Sequence, residues 1–261
     1  MTDYIDFHTN QELDKHCFYM RHREGDHQHK WKLHSHNGFE IFYFFKGVAN
    51  YIIGEGIYQL TPGDMLIFNG KILHQVNPSD KETYVRTFIN FFPSLLDNSL
   101  PEDILKKIIG MFNSPCGQLI HWEGKEREEI ERLMNEMVRE YEKEAVGYLQ
   151  LTEAYLMQLL IKIYRKSKEA IYSSREIQYS QKERHVRHIL NFINNHFREN
   201  LNLDQIANVL HVNKHYICHC FKEVTGFTIN KYLANRRIEE AKNLLVTSND
   251  SIGMIFGGAG L

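Results

Sequence analysis

The chain has 261 residues, 43% of them apolar, and a formal net charge of −2, which suits two domains of ordinary size. No apolar run approaches the roughly 20 residues of a membrane span, and the N-terminus lacks the basic and apolar regions of an export signal. Four scattered cysteines (Cys17, Cys116, Cys218, Cys220) make neither a disulfide framework nor a zinc pattern, so a reducing cytoplasm is expected.

The first hundred residues read as short strands. Phe39 to Phe45 is aromatic and β-branched and stops at Lys46-Gly47; Tyr51 to Ile53, Ile57 to Leu60, Met65 to Phe68 and Tyr84 to Phe92 follow, separated by Gly, Pro, Asn and Asp turns. Short strands at even spacing predict a barrel or sandwich. Two amphipathic helices come next. Glu126 to Tyr141 sets Ile130, Leu133, Met134, Met137 and Tyr141 on one stripe, and Tyr148 to Lys168 repeats the pattern with Leu156, Leu159, Leu160, Ile163 and Tyr164. The pair is expected to pack on the barrel or to form the face of a homodimer. Ser167 to Gln181 is polar and reads as a linker. The expected organisation is α+β: an effector-binding barrel over 1–100, a helical region over 101–170, a linker over 171–183 and an all-helical module over 184–261.

That last module carries the clearest signals. Between Arg184 and Ser248 nine cations face five acids, on a chain that is otherwise acidic, a balance that suits nucleic acid. A helix from Val186 leads to Asn202-Leu203-Asp204-Gln205, a capping-box arrangement for a short helix to Leu210. After the turn His211-Val212-Asn213, Asn213 caps a second helix from Lys214 to Thr225, which Gly226 stops. Its inward stripe is Ile217, Cys220, Phe221 and Val224; its outward stripe is His215, Cys218, His219 and Lys222. Such a helix-turn-helix lays its second helix in the major groove of double-stranded DNA. Lys214 and Lys222 are placed for phosphates, and His215 and His219 for base edges. Arg236 and Arg237 are counted as further DNA contacts.

Val224-Thr225-Gly226-Phe227-Thr228, followed by Tyr232-Leu233, Arg237-Ile238, Ala241 and Leu244-Leu245, resembles the AraC/XylS family of bacterial transcription activators. Leu203-x-x-Ile206-Ala207 and Tyr216-Ile217-x-x-x-Phe221-Lys222 fit as well. The resemblance implies two helix-turn-helix units joined by a long helix, here Thr228 to Leu245. The expected second unit is not matched: Gly253 to Leu261 holds four glycines, each disfavouring helix by about 1 kcal/mol relative to Ala. A weakened grip on DNA is the corresponding expectation.

His34-x-His36-x-x-x-Glu40, with Gly47 beyond it, fits the first cupin motif, and Pro62-Gly63-Asp64, His74 and Asn77 resemble the later one. In metal-binding cupins the matching positions, His34, His36, Glu40 and His74, hold one metal. Asn69 and Lys71 depart from the later motif. AraC-type sensors are cupin-like and many take a small organic effector, often a sugar, without metal. The leading expectation is therefore a small-molecule pocket with no cofactor, lined by Trp31, His34, His36, Glu40, Tyr43, His74 and Arg86, with a metal at the His/Glu set as the lesser reading. His22, His27 and His29 are read as exposed. The function expected is a ligand-responsive DNA-binding regulator, not an enzyme. The alternatives are a metal-dependent cupin enzyme and a dimerising fragment without DNA affinity.

Overall fold

The computed structural model describes residues 6–25, 32–79, 82–97, 99–172 and 179–261. Among the described residues, eight strands form two sheets. Strands β1 (Phe18–Gly25), β2 (Phe39–Lys46), β5 (Asp64–Asn69), β7 (Val85–Phe91) and β8 (Gln118–His121) make the larger, in the order β1-β7-β2-β5-β8. Strands β3 (Ala49–Ile53), β4 (Gly56–Leu60) and β6 (His74–Pro78) make the smaller, in the order β4-β3-β6. All pairings are antiparallel.

The two sheets face each other across a lumen packed with Phe42, Phe44, Tyr51, Ile53, Leu66, Phe68 and Val76. Alternation sends the neighbouring residues the other way. Ile41, Tyr43 and Phe45 point outward, into a core shared with α2 (Glu102–Gly110), α3 (Gly124–Lys143) and α4 (Tyr148–Tyr172). Strand β2 is apolar at nearly every position because both of its faces are covered. Helix α1 (Phe7–His16), capped by Asp6 through the Thr9 amide, precedes β1.

The outer face of the small sheet is covered by the C-terminal helices. Leu33, Ile52, Ile57 and Leu73 of the barrel join Val186, Ile189, Leu190, Ile193, Ile217, Phe221 and Val224 in one apolar cluster. Helix α5 (Gln181–His196) begins with a full capping box of Ser180 and Glu183. Helix α6 (Leu203–Val209) carries the expected box of Asn202 and Gln205. Helix α7 (Lys214–Thr225) is capped by Asn213 and ends at Gly226, whose φ of 81° is the left-handed conformation glycine adopts freely. Helix α8 (Ile229–Thr247) is the long joining helix, capped by Thr228. No described helix is long and apolar enough to cross a membrane.

Three sequence expectations change. The barrel does not end at residue 100, because β8 pairs with β5 from Asp64–His121 to Ile67–Gln118. The linker is shorter than 171–183, since α4 runs to Tyr172 and α5 starts at Gln181. The glycine-rich end is helical, as α9 (Ile252–Ala259). Propensity loses there to tertiary contact: Ile255 and Ala259 are buried, and Arg198 donates to Gly258 O at 3.0 Å.

Arg237 donates to Phe197 O and Glu199 O, both at 2.7 Å, and so closes the carbonyl end of α5. Hydrogen bonds from a charged donor contribute about 1.5–3 kcal/mol. Arg237→Ala is expected to lower unfolding free energy by about that amount in urea titrations; an unchanged midpoint would remove Arg237 from the scaffold.

Candidate functional site

Two backbone hydrogen bonds assemble the barrel site. His34 N donates to His74 O at 3.1 Å, and His74 N donates to His34 O at 2.9 Å. This bridge ties the segment before β2 to the start of β6 and turns both imidazoles into the lumen, with ring centroids 4.3 Å apart. His36 reaches the same space because its amide donates to Gly70 O at 2.9 Å. Gly70 is required there, since any Cβ would collide with the His36 ring. Glu40 enters from the second position of β2.

The protonation pattern follows from the partners. A carbonyl only accepts, so each ring nitrogen facing one carries the proton. His34 Nδ1 donates to Lys32 O at 2.7 Å, His36 Nδ1 to Asn37 O at 2.8 Å, and His74 Nδ1 to Ile72 O at 2.7 Å. All three Nε2 atoms are left for the lumen. His36 Nε2 donates to Glu40 Oε2 at 2.7 Å. His74 Nε2 is buried, 3.7 Å from Glu40 Oε2, and has no hydrogen-bond partner among the described residues. Burial pushes His34 and His74 below the ordinary imidazole range, and the neighbouring histidines push them further. Burial also opposes a charged His36, but the hydrogen bond and charge of Glu40 outweigh it and raise its pKa.

One nitrogen from each of His34, His36 and His74 lies within 4.8 Å of the others. Small rotations close that spread to about 3.4 Å, the edge of a tetrahedron with bonds of 2.0–2.1 Å. Backbone carbonyls on the remote nitrogens are the outer partners that fix ligand histidines in metal sites. The set of three imidazoles and a carboxylate therefore fits a divalent transition metal such as zinc, cobalt, nickel, iron or manganese.

The cavity beside it measures about 40 Å³. Its lining includes His34, His36, Glu40 and Arg86, together with Asp6, Tyr51 and Asn90, which sequence reasoning missed. Alternation along β2 and β3 could have found Tyr51, whose hydroxyl donates to Glu40 Oε1 at 3.4 Å. Of the predicted pocket residues, Tyr43 is elsewhere: it stands three positions from Glu40, on the opposite face, and donates to Glu131 at 2.9 Å. Trp31, His27 and His29 lie outside the described residues. His22 is not exposed as expected; it is half-buried and bonded to Asn135 and Thr87, at 2.8 Å each. A second, larger cleft of about 470 Å³ lies outside the lumen, where α1 and β1 meet the α3–α4 connection; His8, Glu12, Tyr19, Arg21, Tyr141 and Tyr148 are among its lining.

The outward stripe of α7 is open. Lys214, His215, His219 and Lys222 are exposed, Cys218 is half-buried, and Asn213 is held by its cap to the His215 amide at 2.7 Å. Ion pairs decorate this face, Lys214 with Asp204 at 2.9 Å and Lys182 with Glu223 at 2.6 Å. The turn between α6 and α7 contains His211 at φ 53°, a left-handed residue that reverses the chain. The structure does not bring Arg236 or Arg237 to this stripe: Arg236 pairs with Glu240 at 3.2 Å and lies over the Phe197 ring, and Arg237 caps α5.

Residues 18–160 match the model of the AraC-like ligand binding domain family. The chain is 25% identical over 237 residues to the HTH-type transcriptional regulator YbfI of Bacillus subtilis, covering 90% of this chain and 80% of the relative. It is 26% identical over 217 residues to the HTH-type transcriptional regulator YdiP of Escherichia coli, covering 82% and 68%. Among solved structures, ToxT from Vibrio cholerae is similar at a TM-score of 0.38 and 16% identity, over 94% of this chain and 89% of that one.

Glu40→Ala leaves His36 Nε2 buried without a partner, which costs about 1–3 kcal/mol. In chelator-treated protein, urea denaturation is expected to show that loss; equal stability would mean the His36–Glu40 pair contributes nothing to the metal-free fold.

Proposed function

This chain belongs to the family of the AraC-like ligand binding domain, and we propose that it is a DNA-binding transcription regulator whose barrel senses a divalent transition-metal ion. The observation that carries the ligand assignment is the convergence of one ring nitrogen each from His34, His36 and His74, with Glu40 beside them and His74 Nε2 buried without a partner. Size supports the same choice. A cavity of about 40 Å³ has room for roughly three waters, at about 10–15 Å³ each. Sites for organic ligands run to about 300–1,000 Å³, so the small cavity favours an ion over a sugar. His34, His36, His74 and Glu40 would hold the ion, which would supply a cross-link between the segment before β2 and the strands β2 and β6.

On the DNA side, α7 supplies the reading face: Lys214 and Lys222 for phosphates, His215 and His219 for base edges, with Asn213 setting the helix start. The sensor spans the barrel with α2–α4, and the DNA module spans residues 180–261. The reading includes a homodimer, which would set two such helices on half-sites about 34 Å apart.

A second reading is favoured by the cleft of about 470 Å³ at α1 and β1. Its volume suits an organic effector, and Tyr19, Tyr141 and Tyr148 offer aromatic surface. Under it the histidine cluster would be structural.

Fluorescence anisotropy on the chain's own upstream DNA tests the regulator. Binding tighter than to scrambled DNA is expected. Lys222→Ala is expected to weaken both DNAs alike and to reduce the salt slope by about 1. Adding Zn(II) after chelation is expected to shift the affinity, and His74→Ala to abolish that shift. A shift that survives His74→Ala would move the sensor to another site; equal, salt-sensitive binding to both DNAs would remove the sequence-specific role.

A further inference from the structure

The barrel and the DNA module share one apolar cluster, and the histidine site touches it from behind. His34 and His74 are joined by the two-hydrogen-bond bridge and point into the lumen. The residues immediately before them, Leu33 and Leu73, are buried on the opposite side, in the cluster with Ile189, Ile193, Ile217 and Phe221 of the DNA module. Alternate residues of extended backbone face opposite ways, so a displacement of His34 and His74 displaces Leu33 and Leu73 with them.

Polar contacts pin the same surface. Asn191 of α5 donates to Glu55 Oε2 at 2.8 Å, and the Tyr232 hydroxyl of α8 donates to Gly54 O at 3.3 Å, both in the β3–β4 turn. At the far end of β6, Asn77 donates to Val224 O at 3.4 Å, beside the end of the reading helix. A Cβ placed on Gly226 would lie 3.0 Å from Asn77 Oδ1, so the left-handed stop of α7 sits directly against the barrel. Strand β6 thus runs from a histidine of the site to the cap of the DNA-reading helix.

Resting on the metal reading above, we propose that the Leu33/Leu73 pair is the coupling element of this regulator: closure of His34, His36 and His74 on an ion fixes the small-sheet surface and strengthens docking of the DNA module. Packed cores switch between discrete arrangements rather than deform smoothly, so the closure of up to about 1.4 Å the cluster needs to reach tetrahedral spacing is registered at the interface. Coupling is reciprocal. If the ion strengthens docking by some factor, the docked form binds the ion more tightly than the undocked form by that same factor, so weakening docking from the other side weakens ion binding.

The test uses Co(II) on the full chain, because its visible absorption reports coordination directly. Co(II) titrations are run on wild type, on Asn191→Ala combined with Tyr232→Phe, and on Asn208→Ala, an exposed change on α6. The double variant removes two docking contacts from the helical side and touches none of the four ligand residues. The expected result is an unchanged absorption band with about tenfold weaker Co(II) binding in the double variant, and wild-type binding in Asn208→Ala. Equal Co(II) affinity in all three chains overturns the coupling and leaves the metal site standing. No imidazole-type band in wild type overturns both. If the double variant does not fold, hydrogen–deuterium exchange on wild type decides: Co(II) is expected to slow exchange in 186–193 and 217–227, and unchanged exchange there overturns the coupling.

Discussion

The pair of hydrogen bonds between the backbones of His34 and His74 is the constraint from which the functional architecture follows. It closes one end of the lumen by joining the segment before β2 to the small sheet. It turns two imidazoles inward and two leucines outward. With the Nδ1 atoms of His34, His36 and His74 spent on carbonyls, the Nε2 atoms have only the lumen to face: those of His34 and His74 as lone pairs, that of His36 as a donor to Glu40. A buried, unpartnered nitrogen costs free energy, and the fold keeps one at His74, 3.7 Å from a buried carboxylate; that cost is what the proposed ion would offset.

The same bridge explains why the sensor and the DNA module are packed as one body on the small sheet. The larger sheet spends its outer face on α2, α3 and α4. The smaller sheet has no such cover of its own and takes α5, α7 and α8 instead, through Leu33, Ile52, Ile57 and Leu73. The reading stripe of α7 remains on the far side of its helix, exposed. The histidine site and the exposed stripe of α7 therefore lie on opposite sides of the apolar cluster that joins them.

Much of this was legible where one local rule governs one residue. Asn202, Gln205, Asn213 and Gly226 marked the ends of α6 and α7 because caps are local chemistry, and His34, His36 and Glu40 stood out by spacing. Other features depend on partners distant in sequence. Strand β8 is four residues long and exists because β5 offers it an edge. Helix α9 forms against its own glycine content because Ile255 and Ala259 find a surface to bury against. Two misses were avoidable: Ser180-x-x-Glu183 announced the start of α5 as plainly as Asn202-x-x-Gln205 announced α6, and the odd spacing between Glu40 and Tyr43 already placed them on opposite faces of β2.

X-ray absorption at the zinc edge, on chain loaded with one equivalent of Zn(II), tests the central claim most directly. The account predicts a first shell of about four nitrogen and oxygen ligands at 2.0–2.1 Å, with the outer-shell scattering of several imidazoles. A shell containing sulfur near 2.3 Å would place the ion on cysteine, and an oxygen-only shell without imidazole scattering would place it on surface carboxylates. Either result would contradict a metal site at His34, His36, Glu40 and His74.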